Sequence, residues 1–409
     1  MKLHIAYLLN KFMTLSLFAA ALGCSGSDPW KEALTRQSAQ DSATIRVDTS
    51  LVHFMIKYHI PAMSVAGARN SHMVYTKSFG LTHLSANTEA DQQSLFRLVQ
   101  VSKIITSLAV KKLIAEGHLY YHSKVFGKDG ILGFQYGRKP YGKYTSELRI
   151  EDLLKNKSGG WYEADDMIAD VQFRHLFTNR DSALSWVLDN VALKSAPGDS
   201  SHYSELDYFV LGRVIEKVSG MSYEQYVKEN ILKSAGITDM EIVSDSVARP
   251  HEVAYYFPRG KSISDLFQSG DNGELSEDLF LSRGDAALGW MGTAADLVKL
   301  VIKYPILDSL SGRVIPINLQ AQTDSARAEN GFNFDWCSSD TTKDWWMMFQ
   351  FIGSSNILMR SPHGSCWAIL INTFRPDKQE FFPDLMRILK IANSDSTILS
   401  SKGSGPRDK

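Results

Sequence analysis

Serine acyl transfer needs a hydroxyl beside a base, and a Ser followed three residues later by Lys puts both on one helix face. That spacing occurs nowhere in the 409 residues. Metal-assisted chemistry has little more to work with. The three cysteines, Cys24, Cys337 and Cys366, lack the paired short spacing of a zinc site. The eleven histidines show no His-x-x-x-His or His-Glu-x-x-His spacing on a helix. No metal or other cofactor is therefore expected. His53 and His59 read as a surface pair, and His202 as a loop histidine. Cys337 and Cys366 fall on strand-like runs, and an oxidising compartment leaves a disulfide between them open. Trp336, Trp345, Trp346 and Trp367 read as sheet core rather than a sugar-stacking surface. With 44 Lys and Arg against 45 Asp and Glu the net charge is -1, which excludes a generic basic nucleic-acid binder. A composition 22% charged and 44% hydrophobic excludes a largely disordered chain.

The first stretch reads as an address. Lys2 and Lys11 precede an apolar run from Phe12 to Leu22, followed by Gly23 and Cys24. About eleven apolar residues are too few to span a bilayer, so residues 1–23 are expected to be a cleaved secretory signal. Ala21-Leu22-Gly23-Cys24 resembles the lipobox of bacterial lipoproteins, departing from it at Ala21, where the strict pattern prefers Leu. That resemblance implies lipidation at Cys24 and attachment to the membrane, facing the periplasm or the cell surface. An ordinary signal peptide with an incidental Cys is the alternative. Residues 24–44 then form a polar tether, 45–398 the domain and 399–409 a flexible tail.

Within the domain, the apolar spacing of Leu51, Phe54, Met55 and Tyr58 predicts a helix that ends at Pro61. Strand patterns over Met63 to Arg69 and Met73 to Phe79 flank a turn at Asn70-Ser71-His72. Ile105, Leu108, Ala109 and Leu113 mark a helix stopping at Gly117. Tyr208, Leu211, Ile215 and Val218 mark another, closed by Gly220; Ser222 with Gln225, and Thr293 with Asp296, open two more. Strand patterns return at Phe332 to Trp336, Trp345 to Met359 and Cys366 to Asn372, before a helix from about Pro383 to Asn393. Strands at both ends with helices between predict an α+β fold. One antiparallel sheet is flanked by helices and carries a mostly helical inserted subdomain at about 118–285.

Several segments together resemble the serine beta-lactamase and penicillin-binding-protein-like hydrolases, in the class C branch. They are Phe96-Arg97-Leu98-Val99-Gln100-Val101-Ser102-Lys103, Asp152 to Trp161, Ala196-Pro197-Gly198 through Tyr203-Ser204-Glu205, Leu211 to Gly220, Gly289 to Leu297 and the closing strands to Asn372. The resemblance covers about 45–395 in family order and implies a beta-lactamase/transpeptidase-like fold. It also implies a Ser-x-x-Lys, a Tyr-x-Asn and a Lys-Thr-Gly or His-x-Gly on an edge strand, with chemistry by acyl transfer.

Each motif departs from that pattern. The nucleophile position is Gln100, and a carboxamide forms no acyl-enzyme by the serine route, although Lys103 is present. Ser102 is offset by two residues, about 200° around a helix, and should point away from the cleft. Tyr203 is retained, but Glu205 replaces the Asn. A Lys103 relieved of proton transfer would need a counter-charge, and Glu205 is placed to supply it. The third motif falls at Met347, Met348 and Phe349, so the family geometry puts apolar bulk where substrate backbone would pair. The cleft is then either filled by core or left as an apolar pocket. A non-catalytic envelope protein that binds a peptide, cell-wall fragment or protein partner is the favoured expectation. A residual serine hydrolase of the esterase, D,D-peptidase or beta-lactamase type, acting on a small ester or amide, is the alternative.

Overall fold

The computed structural model describes residues 29–38, 44–161, 180–199, 204–243, 249, 251–256, 284–304, 315–316, 337–338, 345–351, 353–361, 364–373 and 380–395. The signal and Cys24, the strand expected at Phe332 to Trp336, His202, Tyr203 and the tail lie outside the described residues.

Ten helices and eleven strands are formed by the described residues. In chain order the helices are α1 (Pro29–Ser38), α2 (Ile45–Tyr58), α3 (Ser102–Ala115), α4 (Ile150–Leu154), α5 (Arg180–Asn190), α6 (Glu205–Ser219), α7 (Tyr223–Val227), α8 (Asp285–Leu288), α9 (Ala294–Lys303) and α10 (Phe381–Ser394). The strands are β1 (Ala62–Arg69), β2 (His72–His83), β3 (Thr88–Glu89), β4 (Phe96–Arg97), β5 (Glu241–Ile242), β6 (Trp290–Gly292), β7 (Ile315–Pro316), β8 (Cys337–Ser338), β9 (Trp345–Phe351), β10 (Ser354–Arg360) and β11 (Ser365–Ile371).

The main sheet runs β3-β2-β1-β11-β10-β9-β8-β7. Its centre joins the two ends of the chain: β1 pairs antiparallel with β11 from Met63 opposite Ile371 to Arg69 opposite Ser365. β1 and β2 are closed by Asn70 and Ser71 at φ 50 and 64, the left-handed pair that a two-residue hairpin turn needs. The apolar run from Trp345 to Met359 is two strands rather than one. Gly353, at φ 70, reverses the chain between β9 and β10.

β11 shows why the central strands are apolar on both sides. Cys366, Ala368 and Leu370 face the core beneath the helical layer, whereas Trp367, Ile369 and Ile371 face α2 and α10. Close packing also dictates the Gly at 67, since a Cβ there would come within 2.5 Å of the Trp367 ring. α1 extends the outer layer and corrects the polar tether expected over 24–44. Ala33 and Leu34 are buried, the Gly80 N–H donates to the Gln37 side chain at 2.7 Å, and Arg36 pairs with Glu89 at 2.8 Å. Two apolar positions and side-chain anchors suffice to dock so short a helix, where periodicity alone is too weak to reveal it.

The sheet order also excludes the Cys337–Cys366 disulfide. β8 and β11 are separated by β9 and β10, so three spacings of about 4.8 Å intervene where a bridge tolerates Cα atoms only about 7 Å apart. Cys366 is a free, buried thiol whose pKa burial pushes up to about 11. His53 and His59 are exposed, as a surface pair would be, and Trp367 is core.

On the inner face lie α3 to α9 and a small antiparallel sheet in the order β4-β6-β5. Among the described residues of 118–285, β5 is a short strand in a region that also carries α4 to α7. The insertion is fastened by a buried cluster. Arg213 of α6 donates to Asp285 of α8 at 2.6 Å, Arg180 of α5 donates to the same carboxylate oxygen, and Arg213 also lies 2.8 Å from Glu216. Burial opposes the Asp285 charge, but the fields of Arg213 and Arg180 outweigh it and hold the carboxyl below its usual range. Next to it, Thr106 donates to the Ala286 carbonyl at 2.6 Å and shares a 2.6 Å hydrogen bond with the Tyr223 hydroxyl, which accepts from Trp290 Nε1 at 2.9 Å.

Candidate functional site

The site is built around the start of α3. A tight turn, Val99–Val101, leads into that helix, and Val99 stands at φ 42. A β-branched residue in the left-handed region is an outlier that costs on the order of 1–3 kcal/mol and persists only where neighbours over-determine it. Here they do. Asn356 Nδ2 on β10 donates to the carbonyls of Arg97 at 2.9 Å and Leu98 at 3.1 Å, and Ser354 Oγ donates to Arg97 at 2.9 Å. From the other side the Leu98 N–H donates to the Trp290 carbonyl at 2.8 Å. Sequence reasoning missed Ser354 and Asn356, although the polar run Ser354-Ser355-Asn356 opening a buried strand was the available signal.

Ser102 follows the turn and points elsewhere. Its Oγ accepts the Trp290 N–H at 3.1 Å, so it holds β6 to α3 and is fully buried. Gln100 is 3% exposed, and its Oε1 has no hydrogen-bond partner among the described residues.

Lys103 is completely buried, in the first turn of α3. Its Nζ lies 2.8 Å from Glu205 Oε2, donates to the Ser204 carbonyl at 3.3 Å, and sits 5.2 Å from the centre of the Tyr208 ring. The ion pair expected from charge balance is therefore present. Glu205 can occupy this place because Ser204 caps α6, accepting the Asp207 N–H at 3.3 Å, which puts the carboxylate in the first helical turn. Further support comes from below, where Trp161 Nε1 donates to Asp207 at 2.9 Å and the Tyr208 hydroxyl donates to the Leu154 carbonyl at 3.0 Å.

The third motif lies on β9, which packs over the Val99–Val101 turn. Met347 is opposite Leu358 and Phe349 is opposite Asn356, and both are 4% exposed. They belong to the same core as Leu98, Val99 and Val101, so core filling, not an apolar pocket, is what these two side chains do. Removing both from water contributes roughly 1.5–3 kcal/mol each.

Structure thus brings Gln100, Lys103 and Glu205 to one end of the helical layer, with Met347 and Phe349 on the adjoining strand. Position 100 offers an amide where acyl transfer needs a hydroxyl, and the neighbouring ammonium is neutralised by a carboxylate.

Residues 47–389 match the family model described as Beta-lactamase. Protein flp of Staphylococcus aureus (strain MW2) is 25% identical over 232 residues, a stretch covering 56% of this chain and 43% of that protein. The chain therefore spans less than half the length of this relative. Among solved structures, the D-alanine carboxypeptidase AmpC from Burkholderia cenocepacia superimposes with a TM-score of 0.63 at 18% identity, over 86% of this chain and 99% of the other. FmtA from Staphylococcus aureus gives 0.58 at 15% identity, over 89% and 96%. These similarities establish the α+β, beta-lactamase/transpeptidase-like fold.

Proposed function

The chain belongs to the beta-lactamase family, and we propose that within it this protein is a non-catalytic member of the bacterial cell envelope, binding a peptide, cell-wall fragment or protein partner. The observation that carries the proposal is Gln100 at the nucleophile position beside a Lys103 already neutralised by Glu205. In a serine protease, losing the nucleophile costs about a millionfold in turnover. Phe349 adds a second obstacle, since a buried aromatic ring stands where a substrate strand would lie. A fold kept after catalysis was abandoned accounts for changes in all three motifs together.

Envelope location is supported by the D-alanine carboxypeptidase among the structural neighbours and by the basic, apolar start ending at Cys24. Among the described residues no helix is long and apolar enough to cross a membrane. Lipid at Cys24 would supply the attachment, and Cys24→Ser should then release the protein from the membrane fraction.

Incubation with a fluorescent penicillin and a chromogenic ester tests catalysis. We expect neither labelling nor turnover. Either signal, if lost in Tyr203→Phe or Ser102→Ala, would overturn the non-catalytic assignment. Gln100→Ser alone should not restore labelling, because Glu205 still holds Lys103 and Phe349 still fills the strand edge.

A further inference from the structure

The docking of α1 limits how far the domain can stand from a lipid at Cys24. Only the four residues 25–28 separate Cys24 from Pro29, where α1 begins. Fully extended, that stretch reaches at most about 18 Å. Were α1 detached, the chain from Cys24 to Ile45 could reach about 75 Å and would leave the domain free to take any orientation. The shorter reach is less than the radius of gyration of about 20 Å that a domain of this length has. A domain held so closely cannot turn its far side to the bilayer.

α1 is held to the domain along its length. Leu34 lies in the outer core with Leu51 and Met55 of α2, while Gln37 and Arg36 hold Gly80 of β2 and Glu89 of β3. At the opposite end, in the first turn, Trp30 packs one side against that core and keeps the other partly exposed. Its ring centre lies 6.4 Å from that of His59, just after α2, and Lys31 Nζ lies 5.5 Å from the centre of the same ring. A partly exposed Trp beside a Lys suits a membrane interface, where the ring bridges apolar and wet layers and the ammonium meets phosphate.

We infer that the Trp30 end of α1 rests on the bilayer that carries the lipid, so that the outer helical layer faces the membrane and the inner layer faces away. The occupant of this surface is phospholipid, because the length of chain from Cys24 to Pro29 brings no other partner so close. The main sheet lies between α1, packed in the outer core, and α3 on the inner face. Across that sheet β2, which α1 touches, and β9, which carries Met347 and Phe349, are four strand spacings apart, about 19 Å. Gln100 and Lys103 are thus turned toward the aqueous side, where a partner can approach them. This orientation rests on the lipid attachment proposed at Cys24 and gives it a direction.

The test is made on the purified, lipidated full chain reconstituted into vesicles of phospholipid brominated on its acyl chains, which quenches tryptophan only at short range. Quenching of one tryptophan among eight is expected, and Trp30→Phe should remove it. Inserting about twenty Gly and Ser residues between Asp28 and Pro29 should lower it, because the longer tether frees the domain. Flotation with the vesicles but no quenching, or quenching unchanged by Trp30→Phe or by the insertion, would overturn the orientation and leave the lipid attachment standing. Failure to float would overturn the attachment at Cys24 and this inference with it.

Discussion

Two buried ion pairs sit in the helical layer, and they differ in the company they keep. Asp285 is surrounded by donors, with Arg213, Arg180 and the Ala286 N–H all directed at it, and Thr106, Tyr223 and Trp290 form a satisfied polar layer alongside. Lys103 and Glu205 are also joined, but next to them stand Val99 in the left-handed region and a Gln100 Oε1 with no partner among the described residues. Among the described residues a strained turn and an unpartnered amide oxygen lie beside Lys103–Glu205, whereas both Asp285 carboxylate oxygens accept hydrogen bonds, although Arg213 Nε makes none. The contrast separates the two pairs by their surroundings.

The largest effect should come from Asp285→Asn. It removes the anion that Arg213 and Arg180 share, leaving Arg213 only Glu216, and breaking a buried pair costs roughly 3–5 kcal/mol. Denaturant unfolding measures this directly. The same group sets a pH dependence. Because the folded-state pKa of Asp285 is held below its unfolded value, the folded protein binds fewer protons than the unfolded chain between the two. Its contribution is complete above about pH 4 and is lost as pH falls through the folded pKa. Stability of the wild type should therefore decline below about pH 4 more steeply than that of Asp285→Asn. Equal slopes would remove Asp285 from the scaffold role assigned to it.

A smaller and more diagnostic effect is expected at the inherited site. Glu205→Gln strands the Lys103 ammonium in the core and should cost about 3 kcal/mol. Lys103→Met should cost less, since the remaining carboxylate still sits in the first turn of α6, where the helix favours it. Combining Lys103→Met with Glu205→Gln should recover most of the loss, because a buried pair is often no better than apolar side chains of similar volume. If the double variant is as unstable as the sum of its parts, Lys103 and Glu205 are not energetically coupled, and the contrast fails.

Local signals in the sequence carried much of the fold. Thr293 and Asp296 do form a reciprocal cap at the start of α9, at 3.1 and 3.3 Å, because both partners lie within one turn. The β1–β2 hairpin and α10 were legible from period and turn chemistry. Lys103–Glu205 was legible for another reason: an ordered resemblance placed both near one cleft, and charge balance required a partner. Arg213–Asp285 had no such guide, since nothing local to either residue marks a contact across 72 positions. Ser354 and Asn356 were missed because a polar run marks the place but not its partners, which are backbone carbonyls of a distant turn. Gln100 was legible as the residue at the nucleophile position the resemblance implies, but that its side-chain oxygen would be buried with no partner among the described residues depends on packing.

That orphan oxygen allows the finest test. A buried acceptor without a partner costs about 1–3 kcal/mol, and Leu has nearly the shape of Gln without the polar end. Gln100→Leu should therefore raise the denaturation midpoint modestly, by an amount equivalent to about 1 kcal/mol. The equivalent polar-to-apolar exchange in the saturated layer, Thr106→Val, should lower it, because the Ala286 carbonyl and the Tyr223 hydroxyl would each lose a partner. Opposite signs from two isosteric changes would mark one region as scaffold and the other as remnant. A fall in stability for Gln100→Leu would mean that the amide is satisfied in solution, and that position 100 belongs to the working core after all.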